Sequence, residues 1–274
     1  MLAERPLLFD ALDCAWEYPR FRDCLPDVEM REGKYTIRFA RNHEDLDEIL
    51  RLRFNIFNLE LGEGLEKSFL TGRDLDDYDQ ACHHLMVVEE ASGACVGTYR
   101  VQTGAMAAAA KGFYSSAEFD LSHLPSEVLE DSVELGRACI AESHRNTPAL
   151  FLLWKGLAAY VAHNRKRFLF GCCSLASQDE REGKLVMELL EREGHLHPDF
   201  YAPPQSGSEC YPSGFRVREP FEVKLPKLFR TYLRLGAKVC GPPVIDRAFK
   251  TIDYFVIFDV FSMDSRTQQV YFGA

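Results

Sequence analysis

Several charged side chains stand where the hydrophobic pattern calls for apolar ones. After Asn42, the residues Leu46, Ile49, Leu50, Phe54 and Phe57 gather on one face at helical spacing, and Arg53 falls in the middle of that face. Arg100 lies inside the strand-like run Gly97-Thr-Tyr-Arg-Val-Gln102, and Glu134 and Arg137 lie among Val133, Leu135, Cys139 and Ile140. Asp76, Asp77 and Asp79 cluster just ahead of another apolar run that starts at His84. A lone buried charge costs several kcal/mol, so three interior arginines and these carboxylates predict a mutually neutralising network. The same residue types carry out proton transfer and two-pronged anion binding, although purely structural ion pairs look alike in sequence. For Arg53 alone, a side chain snorkelling to water is the competing reading.

The spacing of Glu134 and Arg137 adds a further point. Three residues apart on a straight strand, they would face opposite ways. Gly136 between them can host a bulge that re-aims a side chain and parts the strand from its neighbour. Backbone N–H groups freed in this way suit a developing oxyanion.

The elements that hold these residues alternate between strand and helix. Tyr35-Thr-Ile-Arg-Phe-Ala40 reads as a strand, and Asn42 caps the helix that carries Arg53, with Asp45 in its first turn. Strands are expected at His84–Glu89, Gly97–Gln102, Ser132–Ile140, Arg167–Ser174, Arg216–Val223 and Asp253–Val260. Helices are expected at about Thr147–His163, Asp179–Glu193 and Pro226–Leu235, the last with Pro at its start and Gly236 after its end. Such an order predicts one α/β (α+β) domain over residues 34–274. Residues 1–33 read as an N-terminal arm, with Phe9, Leu12, Trp16, Tyr18 and Phe21 able to cover a core edge and Pro6, Pro19 and Pro26 preventing one long helix.

Composition sets outer bounds. A formal charge of −10 argues against a general nucleic-acid binder. The nine cysteines include no CxxC, so buried thiols in a reducing cytoplasm are expected rather than zinc or disulfides. His195-Leu-His197 lacks the companions of a metal site. No stretch is long and apolar enough for a signal peptide or a membrane span, so a cytoplasmic location is expected.

Seven short motifs carry a resemblance. Arg53-Phe-Asn-Ile-Phe57, Asp76-Asp-Tyr-Asp79 with His84-Leu-Met-Val, Gly97-Thr-Tyr-Arg100 and Val133-Glu-Leu-Gly-Arg137 resemble the acyl-homoserine-lactone synthase branch of the GNAT-like acyltransferases. Gly112-Phe-Tyr-Ser with Glu118-Phe-Asp-Leu, Phe170-Gly-Cys-Cys-Ser, and the run from Leu225-Pro-Lys to Cys240-Gly-Pro-Pro look more like the hemolysin-like ornithine-acyl-[acyl carrier protein] N-acyltransferases. The likeness spans about residues 34–262. The lactone synthases carry a tryptophan shortly after the first helix, where this chain reads Asn58-Leu-Glu-Leu-Gly-Glu-Gly64.

The resemblance implies a GNAT-like mixed central sheet flanked by helices, and transfer of an acyl chain from acyl carrier protein to an amino acid amine, with ornithine the favoured acceptor. Lactone synthesis and a catalytically silent carrier-binding module are the alternatives. Glu134 is then the candidate base, or a salt-bridge partner of Arg137 or Arg53. Arg100 or Arg137 would hold the acceptor's carboxylate, and Asp76 or Asp79 its distal ammonium, with Arg53 and Phe57 lining the pocket. No bound cofactor is implied, because the donor arrives as acyl-phosphopantetheine. Ser143-His-Arg-Asn-Thr-Pro-Ala149 lacks the glycines of a pyrophosphate cradle, which leaves Arg145 for a single phosphate. Docking of the acidic carrier is expected at Arg165, Lys166 and Arg167, or on the stripe of Lys227, Arg230 and Arg234, with Leu225, Leu228, Phe229, Tyr232 and Leu235 opposite. Transient contact with an anionic membrane surface is the rival use of that stripe.

Overall fold

The structure, a computed structural model, describes residues 17–272. Trp16 and the earlier part of the expected arm, Phe9 and Leu12 included, lie outside the described residues. In chain order the strands are β1 (Glu29–Glu32), β2 (Tyr35–Phe39), β3 (His83–Glu89), β4 (Cys95–Thr103), β5 (Ser132–Ile140), β6 (Phe168–Leu175), β7 (Lys238–Val239), β8 (Val244–Asp246) and β9 (Thr251–Asp259). The α-helices are α1 (His43–Phe54), α2 (Gly104–Ala108), α3 (Ser126–Glu130), α4 (Ala149–His163), α5 (Glu180–Arg192), α6 (Lys227–Leu235) and α7 (Ser265–Phe272). They fall into two compact units. One comprises the described residues up to Val101 with Arg137–His163; the other comprises Gln102–Gly136 with the residues from Asn164 onward.

In the first unit, β1, β2, β3 and β4 form an antiparallel meander. Its strands are nearly all apolar inside: Tyr35, Ile37, Phe39, Leu85, Met86 and Val87 are buried. Helix α4 is hydrophobic on most of its circumference, with Leu152, Leu153, Leu157, Tyr160 and Val161 buried, as suits a helix against a sheet. Gly156 permits the close approach, since a Cβ there would meet Ile37 and Leu85 at 2.6 Å. Residues 29–32, which the sequence assigns to the arm, instead pair with β2 as β1. Helix α1 starts where the Asn42 side chain accepts from the Asp45 N–H, and beyond Phe54 it loosens into a π-helical turn over Asn55–Glu60. Such turns recur at functional sites.

In the second unit, β9 is the central strand, antiparallel to β6, β7 and β8. Its alternating residues feed two cores. Ile252, Tyr254 and Val256 meet Val186 and Leu190 of α5 and Phe229 and Leu233 of α6, while Phe255 and Ile257 meet Phe119, Phe168 and Phe170. The start of β5 runs parallel to β6 through Ser132, Val133 and Glu134, and the register ends there, although β6 continues to Leu175. No strand forms at Arg216–Val223, contrary to the alternation of the sequence: the segment is irregular and mostly exposed, and Pro220 removes a donor that a ladder needs. Leu228 of α6, expected on the apolar side, is half-buried. The remaining expected strands and helices appear within two residues of their predicted bounds.

Candidate active site

The arginine network in the first unit is real and denser than the sequence implies. Arg53 has no exposure to water; its Nε donates to Asp74 at 2.8 Å and its Nη1 to Asp79 at 2.7 Å. Arg100 on β4 donates to Asp76 at 2.6 Å and to Asp79 at 3.0 Å. Arg137 on β5 reaches Asp76 at 2.9 Å and pairs with Asp74 at 3.3 Å. Three guanidiniums thus meet three carboxylates. Burial alone would raise the Asp79 carboxyl, but Arg53, Arg100 and the His84 hydrogen bond overcome it and hold it well below the usual carboxylate range. Asp76 is lowered as well: burial and Asp79 push it up, and Arg100 and Arg137 outweigh them.

One buried histidine, His84, extends this cluster, and its neighbour His83 binds elsewhere. Nε2 of His84 lies 3.1 Å from Asp79 and its Nδ1 lies 3.0 Å from the Tyr18 hydroxyl. Burial lowers its pKa, so the ring is neutral; facing a carboxylate that only accepts, Nε2 carries the proton and Nδ1 accepts from Tyr18. His83, on the opposite side of β3, follows the same rule, with Nε2 donating to the Arg20 carbonyl and Nδ1 accepting from Tyr160. Burial brings its pKa down to about 4. The described end of the expected arm is therefore clamped to this unit through Tyr18 and Arg20.

Several expected roles change once these partners are known. Asp76 and Asp79 are engaged by arginines rather than held ready for a substrate ammonium, and Arg100 and Arg137 are engaged by aspartates rather than held ready for a carboxylate. Arg53 is wholly interior, so it braces the unit rather than lining a pocket. Phe57, half-buried, packs with Leu52, Ile56 and Cys139 in a hydrophobic cluster. Asp77 is exposed. Sequence reasoning missed Asp74, which sits two residues before the quoted motif; its Leu75 neighbour gave no charge pattern to mark it.

The irregularity expected at Gly136 falls one residue later. Arg137 itself has a φ of 51°, a left-handed conformation that costs a non-glycine residue about 1–2 kcal/mol. The kink turns its side chain toward Asp74 and Asp76, as a straight strand would not.

Glu134 belongs to the second unit and is 5% exposed. Its Oε2 accepts from Gln102 Nε2 at 2.5 Å and from the Tyr114 N–H at 2.9 Å, and its Oε1 accepts from the Ser115 N–H at 2.7 Å. None of these partners is an arginine, so the expected salt bridge is replaced by amide donors. A carboxylate offers about four acceptor sites, and three of them are filled here, which leaves one on Oε1 for a proton or a substrate N–H. Beyond Glu134 the pairing with β6 stops, and Gly171 opposite is hemmed in, since a Cβ there would meet the Leu135 carbonyl oxygen at 2.3 Å. The ladder thus ends at Glu134, while the backbones of Leu135 and Gly171 still lie close together.

The expected phosphate and carrier contacts divide. Arg145 donates to the Ile140 carbonyl and pairs with Glu60, which neutralises it. Arg167 is bidentate to Asp259, and Lys166 donates to the Glu130 carbonyl; Arg165 is exposed. On α6, Lys227, Arg230 and Arg234 are all exposed.

The second unit also holds three carboxylates to which sequence reasoning assigned no role. Glu118, Asp246 and Asp253 offer oxygens within 4.8 Å of one another. They come from a loop and two strands, and only the antiparallel pairing of β8 with β9 reveals their convergence.

Comparison with known proteins adds kinship to this geometry. Residues 52–155 match a protein-family model described as an acetyltransferase (GNAT) domain. The chain is 30% identical over 259 residues to an L-ornithine N(alpha)-acyltransferase of Agrobacterium fabrum, covering 89% of this chain and 87% of that one. It is 31% identical over 255 residues to the protein of the same name from Brucella abortus, covering 89% and 90%. Among solved structures, the AHL synthase LasI is similar with a TM-score of 0.48 at 13% identity, covering 89% of this chain and 97% of that one. FeeM, an N-acyl amino acid synthase from uncultured soil microbes, has a TM-score of 0.48 at 10% identity, covering 83% and 91%.

Two outcomes follow from the buried groups. Arg53→Met leaves Asp74 and Asp79 without their shared cation, so urea denaturation will show a loss of about 3–5 kcal/mol, and an unchanged midpoint would contradict the network. His83 has a folded pKa below its unfolded one, so the unfolded chain binds more protons and stability is lost as pH falls from 6.5 toward 4. The difference between wild type and His83→Gln in that window will change by about 3 kcal/mol, read from denaturation at a series of pH values.

Proposed function

The chain belongs to the L-ornithine N(alpha)-acyltransferase family, and on that premise we propose that it transfers a fatty acyl group from acyl carrier protein to the α-amine of ornithine. The favoured donor is a 3-hydroxy fatty acyl thioester, and the product is a lyso-ornithine lipid. Kinship over 89% of the chain is the observation that carries this reading.

The choice of amine follows from acidity. An α-amino group titrates near 8 and a lysine-like amine near 10.4, so the α-amine is easier to deprotonate by about 3 kcal/mol. The neutral nitrogen attacks the thioester carbonyl carbon, and a C–N bond forms as the carbonyl oxygen gains the charge. Collapse restores the C=O, breaks the C–S bond and expels the phosphopantetheine thiolate, which takes up a proton. Glu134 accepts the ammonium proton through the open site on Oε1, directly or through a water. Its three amide donors fix the carboxylate in one orientation, the preorganisation that a base needs. Backbone N–H groups in the stretch where β5 leaves β6 are the candidate oxyanion donors.

The donor is a carried thioester, so this reading requires no resident cofactor. With Arg145 and Arg167 neutralised by Glu60 and Asp259, the exposed cations of α6 are the better docking face for an acidic carrier. Among the described residues no helix is long and apolar enough to cross a membrane. An amphiphilic product favours transient contact with an anionic membrane surface from the cytoplasmic side.

Two experiments test the reading. Purified protein, acyl carrier protein loaded with a 3-hydroxyacyl chain, and ornithine will give α-N-acylornithine by mass spectrometry; Glu134→Gln, folded by circular dichroism, will lower kcat about 100-fold, and a variant of full activity would remove Glu134 as the base. Arg230→Glu with Arg234→Glu will raise KM for the acyl carrier protein at least about tenfold and flatten its salt dependence, while KM for ornithine stays put. An unchanged KM for the carrier would move the docking face elsewhere.

A further inference from the structure

The acidic cluster of the second unit has the build of a cation site. Antiparallel pairing sets Asp246 of β8 opposite Thr251 of β9 and Val244 opposite Asp253. Cross-strand partners share a face, as do residues two apart, so Asp246, Thr251 and Asp253 all project from one side of this hairpin. Glu118, just past a short 3₁₀ turn at Tyr114–Ala117, brings the third carboxylate. Glu118 and Asp246 line a cavity of about 300 Å³ together with Tyr114, Ala117, Val244, Ile245 and the exposed Arg247, which forms no ion pair with either acid.

A second observation points to a missing ligand. Asp253 is 4% exposed, Thr251 is 2% exposed, and Asp253 Oδ1 and Thr251 Oγ1 make no hydrogen bond of ordinary geometry, although the Ser174, Thr251 and Glu118 side chains face Asp253. Orphaned polar atoms at such depth carry a penalty of about 1–3 kcal/mol each unless something binds them. Among the described residues no arginine, lysine or histidine forms an ion pair with any of the three acids. Burial, with the charges of Asp253 and Asp246 added, pushes the Glu118 carboxyl up to about 9. Burial also pushes Asp253 up to about 6, against the favourable Ser174 side chain and with Asp246 adding to the rise. The cluster therefore holds a proton at neutral pH in place of a cation.

We infer that Glu118, Asp246 and Asp253 receive the distal ammonium of the acceptor amino acid, with Thr251 as a further oxygen acceptor. This deepens the reading of the protein as an ornithine N-acyltransferase and rests on it. An ammonium has three N–H donors, which match three converging carboxylates, and its methylenes find Ala117, Val244 and Ile245 in the cavity wall. The placement relative to the proposed base is also consistent. The Tyr114 N–H and Ser115 N–H bind Glu134, and Cys172 Sγ lies 3.7 Å from Ser115 Oγ and 3.5 Å from Glu118 Oε2. A short run of contacts within one unit thus joins the base to the cluster, as an acceptor with amines at both ends of a three-carbon side chain needs. The proton displaced from Glu118 on binding leaves to solvent, and no bond to carbon changes.

The test compares ornithine with norvaline, the same carbon skeleton without the distal amine. Wild type will favour ornithine in kcat/KM, and in Glu118→Gln and Asp253→Asn the ornithine-to-norvaline ratio will fall by about 100-fold through KM for ornithine. If either buried substitution prevents folding, the half-buried Asp246→Asn carries the same expectation. Folded variants that keep the wild-type ratio would overturn the assignment, as would a wild type that acylates both acceptors equally. A preference that disappears with a chelator and returns with a divalent cation would also overturn it, in favour of a metal ion. A wild type that acylates neither acceptor from acyl carrier protein would instead bring down the transferase reading beneath it.

Discussion

A guanidinium wholly removed from water must be neutralised where it lies, and the first unit is organised around that requirement at Arg53. Asp74 and Asp79 answer it, and they lie on an irregular segment that no ladder or long helix holds in place. Asp79 in turn orders His84 of β3 and Arg100 of β4, and Asp74 and Asp76 hold Arg137 of β5. Through Tyr18 and His84 the N-terminal segment is tied to the same point. One helix, three strands and two loops therefore meet at a set of ion pairs in which each member depends on the others. Replacing the whole set by apolar side chains need not destabilise a protein, whereas removing one member strands its partners. A network of this kind fixes a single arrangement of its elements.

Strand β5 shows how one segment can combine a ladder with chemistry. Its first residues keep a parallel register with β6, and the register closes at Glu134. Three residues on, Arg137 adopts a left-handed backbone, and the salt bridges to Asp74 and Asp76 hold it there. Strain of about 1–2 kcal/mol is small beside the cost of leaving a buried guanidinium unpaired. The ion pairs thus hold the departure of β5 from regular geometry just after the proposed base.

Much of this was legible in the sequence because a charge on an apolar face is a strong signal. Arg53, Arg100, Glu134 and Arg137 all interrupt a clear 3.6- or 2-residue period, and all four are buried or nearly so. What the pattern could not give was partner choice. Glu134 and Arg137 are close in sequence and opposite in charge, so pairing was the natural reading, yet Glu134 takes backbone and glutamine N–H groups and Arg137 takes aspartates. Nor could it give Asp74, which lies in no periodic segment. The acids Glu118, Asp246 and Asp253 were harder still: each looks like an ordinary loop or edge residue, and 135 positions separate the first from the last. Only the β8–β9 hairpin register brings two of them to one face. The strand expected at Arg216–Val223 failed for a related reason, because alternation specifies a strand only where a neighbouring edge is present to pair with it.

The two acidic groups differ in a way that assigns them different work. Around Asp79, cations outweigh burial and the carboxyl is held well below its usual range, so the charge is permanent and already balanced. Around Glu118, burial and like charge act together and the carboxyl rises to about 9, so the charge is withheld until a cation arrives. The difference is in what the fold supplies opposite them: three arginines in one case, a cavity and two orphaned oxygens in the other. A group that the chain has neutralised with its own residues offers little to a ligand. A group left short of positive charge gains most from one, and its preference for a substrate that brings an ammonium follows from that deficit.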